Sequence, residues 1–182
     1  KLKPFFDKKY GNITAANSSQ ITDGAAWVLL ASEEALQKWG LKPLGKIVDS
    51  QWSGLEPEQM GLGPVHASTP ILQRHGLTLA DVDYWELNEA FAAQVLGCQA
   101  AWKDETYCRE QLGLEGAFGS IADDRLNVDG GAVSIGHPVG ASGARIVLHL
   151  LHVLHRNKAK RGVATICIGG GLGGAMLVES LN

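Results

Sequence analysis

The chain has 182 residues, of which 45% are hydrophobic and 19% charged, and this balance excludes a disordered protein. Its net charge of -3 disfavours nucleic-acid binding, since nucleic-acid binders usually carry a basic face. Cys98, Cys108 and Cys167 form no CxxC pair, which argues against a disulfide framework or a zinc site and favours a cytoplasmic location. The sequence has no apolar run long enough for a membrane helix, and no signal peptide is expected.

Hydrophobic runs and helix-capping residues predict the elements in chain order. Residues 1–24 are expected to be an extended lead-in, and residues 25–182 a single domain. Five strands are predicted, at Ala25–Ala31, Leu44–Trp52, Tyr84–Leu87, Val163–Ile168 and Ala175–Leu181. Four helices are predicted, at Ser32–Lys38, Val65–His75, Glu89–Lys103 and Ala141–Asn157, with an irregular excursion at Asp104–Leu126. The order βαβαβαββ predicts an α/β fold with a five-stranded mixed sheet and helices on both faces.

The predicted helix at Ala141–Asn157 is apolar around most of its circumference. Its polar residues Arg145, His149, His152 and Arg156 form one narrow stripe. The spacing of His149, His152 and His155 is partly metal-like, but a solvated helix face is the expectation. A surface helix needs only one apolar stripe, so this helix is expected to be covered on several sides. Because a single sheet covers one side, we expect a further covering layer from outside the chain.

Three segments place a polar or reactive group at the end of a buried element. The Asn88 amide either caps the following helix or reaches into a cleft to hold a water or a substrate oxygen. His137 stands among glycines before the long helix, where the backbone can approach a ligand, or it is an ordinary packed histidine. Cys167 is either inert packing or, with His137 close enough to lower its pKa, a reactive thiol.

These segments read NEAFA at Asn88–Ala92, GHPVGASGAR at Gly136–Arg145 and CIGGGLGGA at Cys167–Ala175, and together they resemble the thiolase family. The segment Thr14–Ala26 is similar to the entry into the C-terminal thiolase domain. The resemblance therefore covers nearly the whole chain, but only about the C-terminal half of a thiolase. It implies cleavage of 3-ketoacyl-CoA by coenzyme A, or the reverse Claisen condensation, through an acyl-cysteine intermediate.

The resemblance also implies a role for each matching residue. His137 would activate the nucleophilic cysteine and help hold the thioester oxygen, and Cys167 would exchange a proton with the substrate α-carbon. Asn88 would hold the water that shares this oxyanion site, and the Gly169 N–H would serve a second oxyanion hole. The positions that would line the pantetheine and acyl pocket are Ser19, Met60 and Phe91. Coenzyme A and acyl-CoA would be substrates, with no tightly bound cofactor and no metal.

The nucleophilic cysteine of thiolases belongs to the N-terminal half, and this sequence has no Cys in the Gly/Ser-rich turn that would carry it. We therefore expect a fragment or separately encoded half that holds half a site, needs the N-terminal half for turnover and forms a dimer or tetramer. His137 and Cys167 are expected to converge at one crevice. The alternatives are a non-catalytic thiolase-like scaffold or binding subunit, and a self-contained cysteine hydrolase built on these two residues.

Overall fold

A computed structural model describes residues 2–181, which form a four-stranded mixed sheet in the order β1-β4-β3-β2. β2 runs parallel to β3, whereas β4 is antiparallel to both β1 and β3. The strands are β1 Gly45–Gly54, β2 Tyr84–Leu87, β3 Arg161–Ile168 and β4 Leu172–Ser180. The helices are α1 Glu33–Trp39, α2 Gly63–Arg74, α3 Ala92–Lys103, α4 Glu105–Leu112, α5 Ala132–Ile135 and α6 Ser142–Asn157.

The first helix shows how local sequence fixes an element. The Ser32 hydroxyl accepts a hydrogen bond from the backbone N–H of Ala35 and so caps the start of α1. Gly40 ends the helix with φ at 61°, a left-handed conformation that costs glycine little. The predicted helix with Ser32 as its N-cap is confirmed, and it ends one residue later than predicted, at Trp39.

Two hydrophobic layers lie on opposite faces of the sheet, because successive side chains along a strand point to opposite sides. Val163 and Leu177 pack with α2 and α3 in the larger cluster. Ala164 and Val178, each one position further along the strands, pack against α6 in the smaller cluster. The predicted helices on both faces are confirmed.

The long helix α6 buries one face against the sheet through Ile146, Leu150 and Leu154. Leu151 is half-buried and packs against the same cluster, and Leu148 is also half-buried. A covering layer from outside the chain stays a prediction.

The strand predicted at Ala25–Ala31 is wrong. This segment is extended but pairs with no strand among residues 2–181, and Trp27 and Leu29 are 83% and 79% exposed. An apolar run becomes a strand only where a neighbour completes its hydrogen bonds. The described sheet therefore has four strands and not five.

One position beside β2 takes the place of a fifth strand. Leu126 forms a single parallel bridge with Trp85, and the Asn127 N–H donates to the Trp85 carbonyl over 2.9 Å. The Asn127 side-chain amide then pairs with both the N–H and the carbonyl of Leu87, each over 2.9 Å. One amide side chain thus continues the ladder at the carboxyl end of β2.

The excursion at Asp104–Leu126 is more regular than predicted, since it contains α4. The Asp104 carboxylate caps this helix at the N–H of Tyr107, and Gly113 ends it with φ at 66°.

Within residues 2–181, no helix has the length and apolar character that a membrane crossing requires.

Candidate active site

Asn88 lies at the carboxyl end of β2, too far before α3 to be the cap of that helix. Its backbone N–H donates to the Thr165 carbonyl over 2.9 Å, which continues the ladder between β2 and β3. Helix α3 begins only after Phe91, so the interpretation of Asn88 as the helix cap is wrong. The Asn88 side chain is buried, and its Nδ2 lies 3.5 Å from Nε2 of His137.

The imidazole of His137 is held on several sides. Its backbone N–H donates to the Gln20 carbonyl over 2.7 Å, and its Nδ1 lies 2.6 Å from the Ser142 hydroxyl. Burial and the positive charge of Arg145 both lower the pKa of His137. The ring is therefore neutral near pH 7, as a proton acceptor must be.

Gly136 shapes the turn that carries His137. Its φ is 87°, a conformation that favours glycine, and a Cβ at this position would collide with the side chain of Thr22. The Arg145 guanidinium donates to the Gly136 carbonyl over 2.8 Å. The turn is thus fixed between the lead-in segment on one side and α6 on the other.

Two polar side chains tie the Asn88 segment to the His137 segment. The Asn127 amide donates to one carboxylate oxygen of Glu89 over 3.0 Å. The other Glu89 oxygen accepts the Val133 N–H over 3.2 Å. Through this carboxylate, the segment after β2 and the segment that leads to His137 are held as one unit.

Cys167 lies near the carboxyl end of β3, the parallel neighbour of β2, and is 5% exposed. Burial raises the pKa of its thiol to about 11. The alternation of side chains turns Cys167 toward the layer of α2 and α3, where Cys98 lies near enough that a Cys167 thiolate would raise its pKa. Burial is the main cause that raises the pKa of Cys98 to about 12.

His137 and Cys167 therefore border the same edge of the sheet from two sides. Among residues 2–181, no hydrogen bond joins Cys167 to His137 or to Asn88. Their convergence at one crevice stays a prediction.

The pocket-lining candidates and Gly169 occupy different places. Ser19 donates from its backbone N–H and its hydroxyl to the Ala90 carbonyl, each over 3.0 Å. Phe91 bridges to Ser18 in antiparallel fashion, so Ser19 and Phe91 both lie beside the Asn88 segment. Met60 is half-buried in the Pro57–Leu62 turn, which packs on α3. Gly169 is exposed in the β3–β4 turn, with open space where a Cβ would stand.

His149 departs from the expected solvated stripe. Its Nδ1 lies 2.8 Å from the buried carboxylate of Glu86, and its Nε2 lies 3.0 Å from Asp129. Burial raises the pKa of Glu86, and the neighbouring His149 partly offsets this effect.

In the part of the chain that the structure describes, no group of three or more His, Cys, Asp or Glu side chains is arranged to bind a metal ion.

A small cavity adjoins Asn88. It measures about 80 Å³ and is lined by Asn88, Glu86, Glu89, Arg145 and His149 among others. The Asn88 Oδ1 is buried and has no hydrogen-bond partner within residues 2–181. A buried polar atom without a partner, beside a cavity of this size with several polar side chains in its lining, is a natural place for an ordered water.

Comparison with known proteins identifies the family. The profile described as "Thiolase, C-terminal domain" matches residues 41–180, and the one described as "Thiolase, N-terminal domain" matches residues 1–34. The chain belongs to the thiolase family. The acetyl-CoA acetyltransferase of Chromobacterium violaceum is 49% identical over 98% of this chain, which covers 41% of that thiolase. The 3-ketoacyl-CoA thiolase of Serratia proteamaculans is 43% identical, again over 98% of the chain and 41% of the relative.

Solved thiolase structures agree with this assignment. Human mitochondrial 3-ketoacyl-CoA thiolase in complex with CoA superposes with a TM-score of 0.81 at 39% identity, over 100% of this chain and 42% of that one. The Bacillus anthracis acetyl-CoA acetyltransferase gives a TM-score of 0.83 at 39% identity, over 99% of this chain and 41% of that one. The chain therefore spans about two fifths of the length of the thiolases it matches.

Several residues that build this part of the thiolase were not among the predicted site residues. Ser142, Glu89 and Asn127 all stand within or beside the segments that resemble thiolases, and each contacts a predicted site residue or its neighbour. The available signal was the place of Ser142 beside a glycine-rich turn and of Glu89 inside the NEAFA segment, whereas nothing in the sequence marks Asn127 as a partner of Leu87. Gln20 contributes only a backbone carbonyl, for which the sequence gives no signal.

Proposed function

We propose that this chain is the C-terminal part of a thiolase-type acyltransferase, which cleaves 3-ketoacyl-CoA with coenzyme A or runs the reverse condensation. The observation that carries the proposal is the pairing of Asn88 and His137, 3.5 Å apart, at the sheet edge that also holds Cys167. Relatives of this chain are named acetyl-CoA acetyltransferase and 3-ketoacyl-CoA thiolase, and one solved relative is in complex with CoA. Coenzyme A and acyl-CoA are accordingly the proposed substrates.

His137 is proposed as the base that takes the proton of a nucleophilic cysteine supplied by the N-terminal half. Its lowered pKa supports this role, because a neutral imidazole has a free lone pair at neutral pH. Once protonated, the same nitrogen can donate toward the substrate thioester oxygen. The unpartnered Oδ1 of Asn88 and the adjoining cavity support the proposal that Asn88 holds a water at this oxyanion site.

Cys167 is proposed as the acid that protonates the carbanion released on cleavage. The nucleophilic thiolate would attack the 3-keto carbon, the bond to the α-carbon would break, and the electron pair left on the α-carbon would take the Cys167 proton. A pKa near 11 supports this direction, since the thiol is protonated at neutral pH. Condensation requires the thiolate, so the N-terminal half or the substrate would then have to lower this pKa.

The remaining roles stay predictions. The exposed Gly169 is proposed to serve a second oxyanion hole, and Ser19, Met60 and Phe91 to line the pantetheine and acyl pocket. Division of the chain after residue 24, assembly into a dimer or tetramer, a cytoplasmic location and a part in fatty-acid metabolism are also predictions from the sequence. A self-contained cysteine hydrolase is disfavoured, because Cys167 is buried, has a raised pKa and makes no hydrogen bond to His137 among the described residues.

Reconstitution tests the proposal. The chain is mixed with an N-terminal thiolase half that carries the nucleophilic cysteine, and cleavage of acetoacetyl-CoA by coenzyme A is measured. We expect no turnover by the chain alone and turnover by the mixture. The variant His137→Ala should lower that turnover by at least about 100-fold, the scale of a lost general base. The matched control His152→Ala, at an exposed position of α6, should leave it unchanged.

Two results would contradict the proposal. Thiolysis by the chain alone would remove the need for the N-terminal half. A mixture that forms a stable complex but remains inactive would favour the scaffold or binding subunit.

A further inference from the structure

Ser142 is a buried hydroxyl with no assigned role, and it touches the imidazole of His137. It is the first residue of α6 and is fully buried. Its Oγ lies 2.6 Å from His137 Nδ1 and 3.2 Å from the Pro138 carbonyl. Removing Ser142 would therefore affect one specific atom of the proposed base.

The hydroxyl has one proton, and its two neighbours compete for it. Pro138 stands four residues before Ser142, and the hydroxyl can donate back to its carbonyl over 3.2 Å, although this carbonyl also accepts the backbone N–H groups of Ala141 and Ser142 over 2.8 and 2.9 Å. The carbonyl can only accept, so a proton placed there leaves the Ser142 oxygen as an acceptor. The short contact to His137 is then a hydrogen bond in which Nδ1–H donates.

The other side of the ring is consistent with the same proton position. Nε2 of His137 faces the Asn88 Nδ2, an amide donor, at 3.5 Å. A proton on Nε2 would place two donors against each other, whereas a lone pair on Nε2 can accept. Arg145 and burial keep the ring neutral, so it has one proton on one of its two nitrogens.

We propose that Ser142 is a positioning residue that holds neutral His137 in the tautomer protonated at Nδ1, so that Nε2 presents its lone pair to the site. This deepens the proposed function, and its catalytic meaning rests on that function. The proposed position of the proton on His137 does not depend on that function. A base locked in the wrong tautomer loses most of its catalytic power, because the lone pair then points away from the proton to be taken.

Two-bond ¹H–¹⁵N correlation spectra of the histidine-labelled chain at pH 8 measure the proton position directly. In the wild type we expect His137 to be protonated at Nδ1. In Ser142→Ala the ratio of the two tautomers should shift toward Nε2–H by about fivefold, the effect of one lost hydrogen bond. Ser142→Thr, which keeps the hydroxyl, should restore the wild-type ratio.

The matched control is Ser68→Ala, which removes another fully buried serine hydroxyl that has no hydrogen-bond partner within residues 2–181. It should leave the His137 tautomer unchanged. The resonances of His66, which lies 2.7 Å from the Tyr107 hydroxyl, report whether each variant keeps its fold. If Ser142→Ala does not fold, the wild-type spectrum still decides the question.

A wild-type His137 protonated at Nε2 would overturn the proposal, as would an unchanged tautomer ratio in folded Ser142→Ala. In the reconstituted enzyme, Ser142→Ala should lower kcat by at least about tenfold with little change in KM. An inactive mixture with the expected tautomer would instead contradict the proposed function and leave the role of Ser142 intact.

Discussion

At the scale of the residue, the site is defined by where protons are held. His137 has a lowered pKa and Cys167 a raised one, and burial is the main cause of both shifts. Both groups are therefore uncharged near neutral pH, because the imidazole loses its proton at lower pH and the thiol keeps its proton to higher pH. The imidazole can accept a proton and the thiol can donate one, as the proposed thiolysis would require.

The raised pKa of Cys167 predicts slow alkylation in the folded chain. Only the thiolate reacts with iodoacetamide, and with a pKa of about 11 its fraction should rise about tenfold with each pH unit from 7 to 10. Mass spectrometry of the Cys167 peptide measures the rate, and Cys167→Ser verifies the assignment. The urea-unfolded chain is the control, since its thiol has an ordinary pKa. Folded labelling at pH 7 as fast as unfolded labelling would contradict the raised pKa.

At the scale of the element, the carboxyl end of β2 depends on one side chain. Asn127 has φ at 46° and pairs through its amide with both backbone groups of Leu87. It also donates to Glu89, so a single residue supports the strand end and the segment beyond it. Asn88 keeps its place in the site because the residue before it is fixed.

We predict that Asn127→Gly lowers the free energy of unfolding by about 1–3 kcal/mol, because the Leu87 groups and Glu89 lose their partner. Glycine accepts the positive φ, so the effect reports the amide and not backbone strain. The control is Lys158→Gly, since Lys158 ends α6 with φ at 52° and supplies no amide to a strand. Urea unfolding measures both, and equal midpoints for the two variants would refute this role of Asn127.

The elements that local sequence determines could be predicted, whereas those that depend on a partner could not. β2 was predicted residue for residue, and α1 from its caps, because burial and capping are local signals. Ala25–Ala31 carries the same apolar signal as a strand, yet no strand among residues 2–181 pairs with it. The candidates Asn88 and His137 were found from their motifs, but the Asn127 amide that replaces strand pairing has no pattern in the sequence.

At the scale of the whole molecule, the exposed apolar surface is concentrated in the extended segment before α1. Trp27, Leu29 and Leu30 are each more than 70% exposed, and Phe5 and Phe6 add aromatic surface nearby in sequence. Several large apolar side chains exposed along one segment favour a contact with another protein or a tendency to associate. These residues are more exposed than the half-buried leucines of α6.

We therefore predict that the isolated chain binds ANS and self-associates, as measured by fluorescence and light scattering. The double variant Leu29→Ser/Leu30→Ser should reduce both signals. The control Leu41→Ser/Leu96→Ser changes exposed leucines outside the segment and should have a smaller effect. A compact monomer that does not bind ANS would contradict the prediction.

The contacts that the lead-in segment makes with the site also limit where a thiolase can be divided into two polypeptides. Ser18 bridges to Phe91, Ser19 bonds to Ala90, and the Gln20 carbonyl accepts the His137 N–H. A break between residues 34 and 41, where the two family profiles meet, would put these anchors on the wrong piece. A split enzyme intended to reassemble should therefore be cut upstream of Ser18, so that the histidine turn keeps its own scaffold.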